Sequence, residues 1–498
     1  MPDKRSQQTV VADPSKERSL GASAVRGVAW TGGGQIARQL VQVGTLLVLG
    51  RLLAPGEFGL IGMAMFFIGV GQLVADFGIG SAIVQSKSPD AVELSSCFWL
   101  NLAVAFALCL LFLACAPLIG RFYARPDLAP VVAALSITML LNALQTVPGA
   151  LLYRAMRFGD LTVSQLAGSV LGSLAAIGLA FFGAGVWALV AQPLVGTLTT
   201  LLGYQVANRW TPRLVFSWTR VAALARFSGA LFGTKLLDYA HRSADSVLVG
   251  RVLGAQSLGI YAIAVQIMLY PLQQVSAVFV RVLFPILVQL REDLPRLRAM
   301  YLRAVASIAL LTFPAMGGLF VLANDFVLVV FGQPWMEMVP LLKVLAWVGM
   351  MQSVATTTGT IYMSTGNAAL ALRVTMVTTP VVIIGMAVGL YWGILGVAVG
   401  YAIATFSLFH YTAKVAFRLI GLELSAFFAV LIGPSVSTAI MMGALLLVEP
   451  WGAAWTAHLR LLASVVLGAA AYLAASLAVN RAQLVETYST VRTLWRPS

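Results

Sequence analysis

Long apolar runs follow one another along almost the whole chain, separated by short polar tracts, and alternation of apolar and polar positions at strand period is missing. A helix that crosses the hydrocarbon core of a bilayer needs about 20 consecutive, mostly apolar residues. Runs of that kind occupy 30–53, 58–77, 98–119, 128–151, 161–182, 186–206 and 231–253. A second set occupies 258–280, 305–327, 339–362, 370–390, 394–415, 427–448 and 461–479. The pattern predicts an all-α, polytopic membrane protein of about 14 transmembrane helices. A β-barrel would instead show segments of about 10 alternating residues. Composition sharpens the contrast with a soluble domain, which carries about a quarter charged residues; here 60% of 498 residues are hydrophobic and 10% charged.

The formal charge of +14 raises the question of a nucleic-acid partner, and its distribution argues against one. The basic residues lie in short tracts between apolar runs, not on one soluble face. Counting loops alternately, one side receives Arg154, Arg157, Arg209, Arg213, Arg220, Arg226, Arg281, Arg291, Arg296, Arg298 and Arg303. The other receives chiefly Arg51, Arg121, Arg125, Arg251 and Arg460. The positive-inside rule then puts both termini in the cytoplasm, as an even number of spans requires. Residues 1–22 read as a cytoplasmic tail, since no short apolar stretch with a small-residue cleavage site follows them. Cys97, Cys109 and Cys115 cluster in or beside one span without metal-ligand spacing and read as packing residues.

The chain also repeats itself. Gly50-Arg51-Leu52-Leu53 leading to Gly59 recurs 200 positions later as Gly250-Arg251-Val252-Leu253 leading to Gly259. Arg26 and Arg226, then Gly33 and Gly233, precede the two copies at the same offset. Six expected spans separate the copies, so the halves have the same orientation and are related by an axis along the membrane normal. The expected organisation is a lobe at 23–210, a second lobe at 211–420, and two further helices with a cytoplasmic tail at 421–498. Facing parallel repeats are an arrangement of alternating-access carriers, with the substrate between them.

Ionisable groups at bilayer depth cost about 2.5–3.5 kcal/mol each on insertion scales, so each points to a function. Arg38 lies inside the first span, and the seventh carries Lys235, Asp238, His241, Arg242 and Asp245. At helical spacing Asp238 meets Arg242 and His241 meets Asp245, which makes one polar stripe. Either these groups neutralise one another and fix packing, or they leave a net basic cavity for an anionic head group. In the second reading Arg38, Lys235 and Arg242 bind the anion, while Asp238, His241 and Asp245 tune the site or couple it to an ion. Gly32-Gly33-Gly34 either weakens the first span or lets a helix approach closely. Gly168/Gly172, Gly385/Gly389 and Gly396/Gly400 have the spacing of helix-packing pairs. Asp76 is expected to end a helix, and Trp335 to anchor a loop at the interface. No phosphate-binding loop, nucleotide fingerprint or metal-spaced histidine cluster occurs, so no cofactor or metal is implied. A glycan polymerase or ligase would need an outward carboxylate such as Asp127, Asp325 or Glu337. The outward loops are short, which argues against an enzyme.

The segment Arg51-Leu52-Leu53-x-Pro55-x-Glu57-Phe58-Gly59, followed by Asp76-Phe77-Gly78-Ile79-Gly80-Ser81-Ala82, resembles polysaccharide flippases of the Wzx and colanic-acid-exporter type. Asp245-Ser246-Val247-Leu248-Val249-Gly250-Arg251 with Leu258-Gly259-x-Tyr261 is similar to their later signature. These flippases belong to the multidrug/oligosaccharidyl-lipid/polysaccharide exporter superfamily. The resemblance runs over roughly 20–420 and is nearest to exporters of xanthan-like exopolysaccharide repeat units. It implies two six-helix lobes in a V shape plus two C-terminal helices, in the bacterial inner membrane. It also implies flipping of a polyprenyl-pyrophosphate-linked oligosaccharide, coupled to a proton or sodium gradient, alongside a polysaccharide polymerase and export machinery. The rival within the superfamily is a drug/cation antiporter, which a net acidic cavity would favour.

Overall fold

A backbone surrounded by hydrocarbon can satisfy its own hydrogen bonds within one segment only as an α-helix, and the expected spans fall on helices, that of 339–362 being divided between two. The computed structural model describes residues 14–76, 79–86, 89–448, 455–481 and 483–484. The side chains of 14–29 and, Tyr239 apart, of 220–242 lie outside the described residues. The helices are α1 (Pro14–Leu52), α2 (Pro55–Asp76), α3 (Ile79–Gln85), α4 (Ala91–Phe122) and α5 (Leu128–Arg154). Next come α6 (Phe158–Phe181), α7 (Val186–Asn208), α8 (Trp218–Gln289), α9 (Leu294–Val330) and α10 (Met338–Ala355). The series ends with α11 (Thr358–Ser364), α12 (Ala368–Gly389), α13 (Gly393–Ile420), α14 (Leu424–Val448) and α15 (Ala457–Val479). No strand occurs among the described residues. Eleven segments among them are long and apolar enough to cross a membrane, and one of these, 368–420, holds both α12 and α13.

Helix ends follow local chemistry. The Asp90 side chain accepts from the Glu93 N–H at 2.6 Å at the start of α4, and Asp293 accepts from the Arg296 N–H at 3.2 Å at the start of α9. At the start of α2, Glu57 reaches back to the Ala54 N–H at 2.8 Å. The 72-residue α8 holds two expected spans, and Gly254 breaks it between them with φ +85°, a conformation that glycine adopts without steric cost. Asp76 is the last residue of α2, as expected.

The chain forms two compact units: residues up to Leu53 with Ala64–Ala240, and Ala54–Met63 with His241 onward. In the first, α6 and α7 approach so closely that a Cβ on Gly172 would stand 2.5 Å from the Gln192 carbonyl oxygen. In the second, α12 and α13 interlock: a Cβ on Gly389 would meet the Gly396 oxygen at 2.2 Å, and one on Gly400 the Gly385 oxygen at 2.1 Å. The three glycine pairs are therefore packing sites, as their spacing predicts. The second unit also holds the first turn of α2 against α8. A Cβ on Gly59 would lie 1.7 Å from the Ala255 oxygen, and one on Gly259 would lie 1.9 Å from the Pro55 oxygen. Since 55 matches 255 and 59 matches 259 in the repeat, the contact is reciprocal, the form that a local two-fold axis generates.

Of the two readings of Gly32-Gly33-Gly34, close helix approach is the one realised: α1 runs unbroken through it, and the space at Gly34 is taken by Thr162, whose Cγ2 lies 1.9 Å from where a Cβ would be. One expectation needs correction: Trp335 is not an interfacial anchor. It is fully buried, its ring centroid 5.3 Å from that of Phe58 and 5.4 Å from that of Phe331, because an apolar pocket in the fold outcompetes the interface for its indole.

Candidate functional site

In the first unit, three helices converge on Arg38. The close approach of α1 and α6 at Gly34 and Thr162 brings Arg38, one turn further along α1, level with Gln165 on α6. Its Nη1 donates to Gln165 Oε1 at 2.7 Å, and its Nη2 donates to Gln35 Oε1. Gln165 Nε2 in turn donates to the Tyr204 hydroxyl on α7 at 2.8 Å. Among the described residues the side-chain partners of this half-buried guanidinium are neutral amides, so it is oriented without being neutralised. A guanidinium has five donors, and the two engaged here leave the others for an incoming anion. Gln165 and Tyr204 are functional candidates that sequence reasoning missed. Their only signal was polarity within an apolar run, since nothing in local spacing links α1 to α6 and α7.

In the second unit, Asp245 occupies α8. Its Oδ1 accepts from the Ser246 N–H at 2.7 Å and from the Ser246 hydroxyl at 3.3 Å. The hydroxyl of buried Tyr261, on the far side of the Gly254 break, lies close to the same carboxylate. Tyr401 on α13 lies within electrostatic reach of the same carboxylate and accepts from Gln352 Nε2 on α10. Helices α8, α10 and α13 thus build a carboxylate–hydroxyl–amide cluster. The expected neighbours Lys235, Asp238, His241 and Arg242 lie on α8 with side chains outside the described residues, and so does the expected His241–Asp245 pair.

Two of the three carboxylates that a glycan-processing enzyme could use are held by arginines. Asp127 is held by Arg125, which donates through Nε at 3.0 Å and Nη2 at 2.6 Å. This hydrogen bonding keeps the Asp127 carboxyl below the usual carboxylate range and raises Arg125. Asp325 is not in a loop. It lies in α9, where Arg460 of α15 grips both its oxygens, through Nε at 2.6 Å and through Nη2. No group of three or more His, Cys, Asp or Glu residues that could hold a metal occurs among the described residues.

Comparison with known proteins adds an independent line. The model of a family described as polysaccharide biosynthesis protein matches residues 48–340. The lipopolysaccharide biosynthesis protein WzxC of Escherichia coli (strain K12) is 27% identical over 393 residues, 77% of this chain and 78% of that one. The teichuronic acid biosynthesis protein TuaB of Bacillus subtilis (strain 168) is 28% identical over 462 residues, 91% of this chain and 95% of that one. In fold, the chain is similar to the lipid II flippase MurJ in its inward closed conformation, with a TM-score of 0.71, 14% identity, and 91% of this chain and 99% of that chain covered.

Proposed function

This chain belongs to the polysaccharide biosynthesis protein family, and from that premise we propose that it is a flippase of lipid-linked oligosaccharides. It carries polyprenyl-pyrophosphate-linked repeat units across the bacterial inner membrane, from the cytoplasmic to the outer leaflet, for extracellular polysaccharide assembly. The observation that carries this reading is Arg38, half-buried on α1 and oriented by Gln165 and Gln35 with no acidic partner among the described residues. A guanidinium at bilayer depth would cost about 2.5–3.5 kcal/mol, and a pyrophosphate offers it paired acceptors in matching planar geometry. The lipid tail stays in the bilayer while the charged head group and sugars cross through protein.

In this proposal Lys235 and Arg242 join Arg38 in holding the pyrophosphate. Asp238, His241 and Asp245 tune the site or couple it to a proton or sodium gradient, and access alternates between the two sides. Both termini are cytoplasmic, and a polymerase and export machinery take over the repeat unit outside. The antiporter reading is weaker because an organic cation would be repelled by Arg38. The polymerase reading is weaker because arginines already occupy Asp127 and Asp325.

The test uses cells lacking the protein, supplied with the intact chain or with the Arg38→Ala/Arg242→Ala variant at equal level. A membrane-impermeant enzyme added to spheroplasts reports which leaflet holds the lipid-linked oligosaccharide. Complete repeat units trapped inside and released by the intact chain alone support the flippase. Normal outward exposure without polymer would replace it by a polymerase or ligase, and unchanged glycan would replace it by an antiporter.

A further inference from the structure

The segment between α7 and α8, residues 209–217, contains no helix yet is firmly held. The Arg213 N–H donates to Ser95 Oγ at 3.0 Å, the Ser217 N–H donates to Ser96 Oγ at 2.9 Å, and Trp99 Nε1 donates to the Arg213 carbonyl at 2.8 Å. Trp210 packs edge-on against Phe98 with ring centroids 5.5 Å apart. Ser95 and Ser96 are both buried in α4. The segment is therefore strapped across the beginning of α4 by its backbone, which leaves its side chains to face outward.

Those side chains are unusual for a fixed loop. Leu214, Val215, Phe216 and Trp218 are 90%, 43%, 52% and 64% exposed, and the Phe216 and Trp218 rings lie 6.3 Å apart. Holding four large apolar groups out in water is unfavourable. The place of the strap identifies what covers them. It joins the C-terminal end of α7 to the first turns of α4, both apolar enough to span a membrane, so it stands where hydrocarbon gives way to head groups. Trp99, Trp210 and Trp218 gather at this level, and tryptophan concentrates at membrane–water interfaces. Exposed Arg209 and Arg213 flank the apolar group and complement an anionic surface rather than a neutral one.

We propose that residues 209–218 are an interfacial anchor. Leu214, Phe216 and Trp218 enter the head-group–acyl boundary, while Arg209 and Arg213 pair with anionic lipid head groups. Because the strap leads directly into α8, which carries Asp245, anionic lipid content would bear on the helix that holds the candidate coupling residues. The inference rests on the spans and not on the cargo, and its readout is position in the membrane, so it stands or falls apart from the flippase reading.

The test uses the full chain with Cys97, Cys109 and Cys115 replaced by alanine and one nitroxide-labelled cysteine at 211, 214 or 216. The protein is placed in vesicles of phosphatidylcholine with phosphatidylglycerol. Labels at 214 and 216 are expected to favour collision with oxygen over a water-soluble nickel chelate several-fold relative to the label at 211. The preference should shrink in phosphatidylcholine alone or with Arg209→Gln/Arg213→Gln. Equal nickel access at all three positions would overturn the proposal and leave the ridge to a soluble protein partner. Should the cysteine-free chain misfold, quenching of the native chain by brominated-acyl lipid replaces it. Trp218→Phe is then expected to lower the lipid-quenchable emission, and unchanged quenching overturns the anchor.

Discussion

Arg460 and Asp325 show how much one side-chain pair can hold together when water is scarce. Their side chains are only 25% and 11% exposed, and the paired hydrogen bonds tie α15 to α9. Removing one partner of a buried pair leaves an uncompensated charge and costs about 3–5 kcal/mol, whereas an apolar replacement of both is often close to neutral. Asp325→Ala is therefore expected to lower stability by roughly 3 kcal/mol, near the low end because Arg460 keeps some contact with solvent. Asp325→Leu/Arg460→Leu should recover most of the loss. Thermal unfolding in detergent checks this; an equal loss in the single and double variants would mean that the pair is not what stabilises the contact. Arg38 makes the opposite use of the same chemistry: its amide partners fix direction and leave charge unspent.

Elements are positioned by what is missing from their surfaces. Where α2 begins, Gly59 and Gly259 let two backbones come together at distances that no side chain allows. Gly59→Ala forces a Cβ into the Ala255 carbonyl, and overpacking of this kind costs typically 1–3 kcal/mol. Gly56, one turn earlier, has nothing within 4 Å of its Cβ position, so Gly56→Ala should be neutral or stabilising by up to about 1 kcal/mol through helix propensity. Gly259→Ala is expected to behave like Gly59→Ala because the contact is reciprocal. Melting temperatures of the three variants decide it. If Gly59→Ala melted like Gly56→Ala, α2 and α8 would not cross at these glycines.

For the whole molecule the governing quantity is sidedness. Alternate tracts carry most of the arginine, and that asymmetry sets orientation during insertion. Fusions ending at Pro126 or Gln333 are expected to give active alkaline phosphatase, which folds only outside the cytoplasm. Fusions at Arg209 or the C-terminus should instead give a fluorescent cytoplasmic reporter. With a cytoplasmic N-terminus, a phosphatase-positive C-terminus would require an odd number of spans and would overturn the even count.

How far each level was legible follows from the solvent. A bilayer imposes a one-dimensional constraint, so most spans could be read from apolar run length alone, whereas α1, with Gln35, Arg38 and Gln39 in it, is not among the described segments long and apolar enough to cross. Gly385/Gly389 and Gly396/Gly400 could be recognised as packing pairs because close approach needs small residues one turn apart, which is again a local pattern. The two-hundred-residue repeat, too, was visible in Gly50-Arg51 and Gly250-Arg251 before any helix was placed. The tertiary structure alone decided which side of each helix meets protein. Lipid is as apolar as the core, so hydropathy cannot separate the two faces. Nothing in sequence joined Arg38 to Gln165 and Tyr204, or Asp245 to Tyr261 and Tyr401, or drew Trp335 away from the interface into a pocket beside Phe58. Those contacts depend on helix rotation and depth, which only the assembled packing determines. The candidate charges were named by the chain itself; the orientation of Arg38 and of Asp245 belongs to the fold.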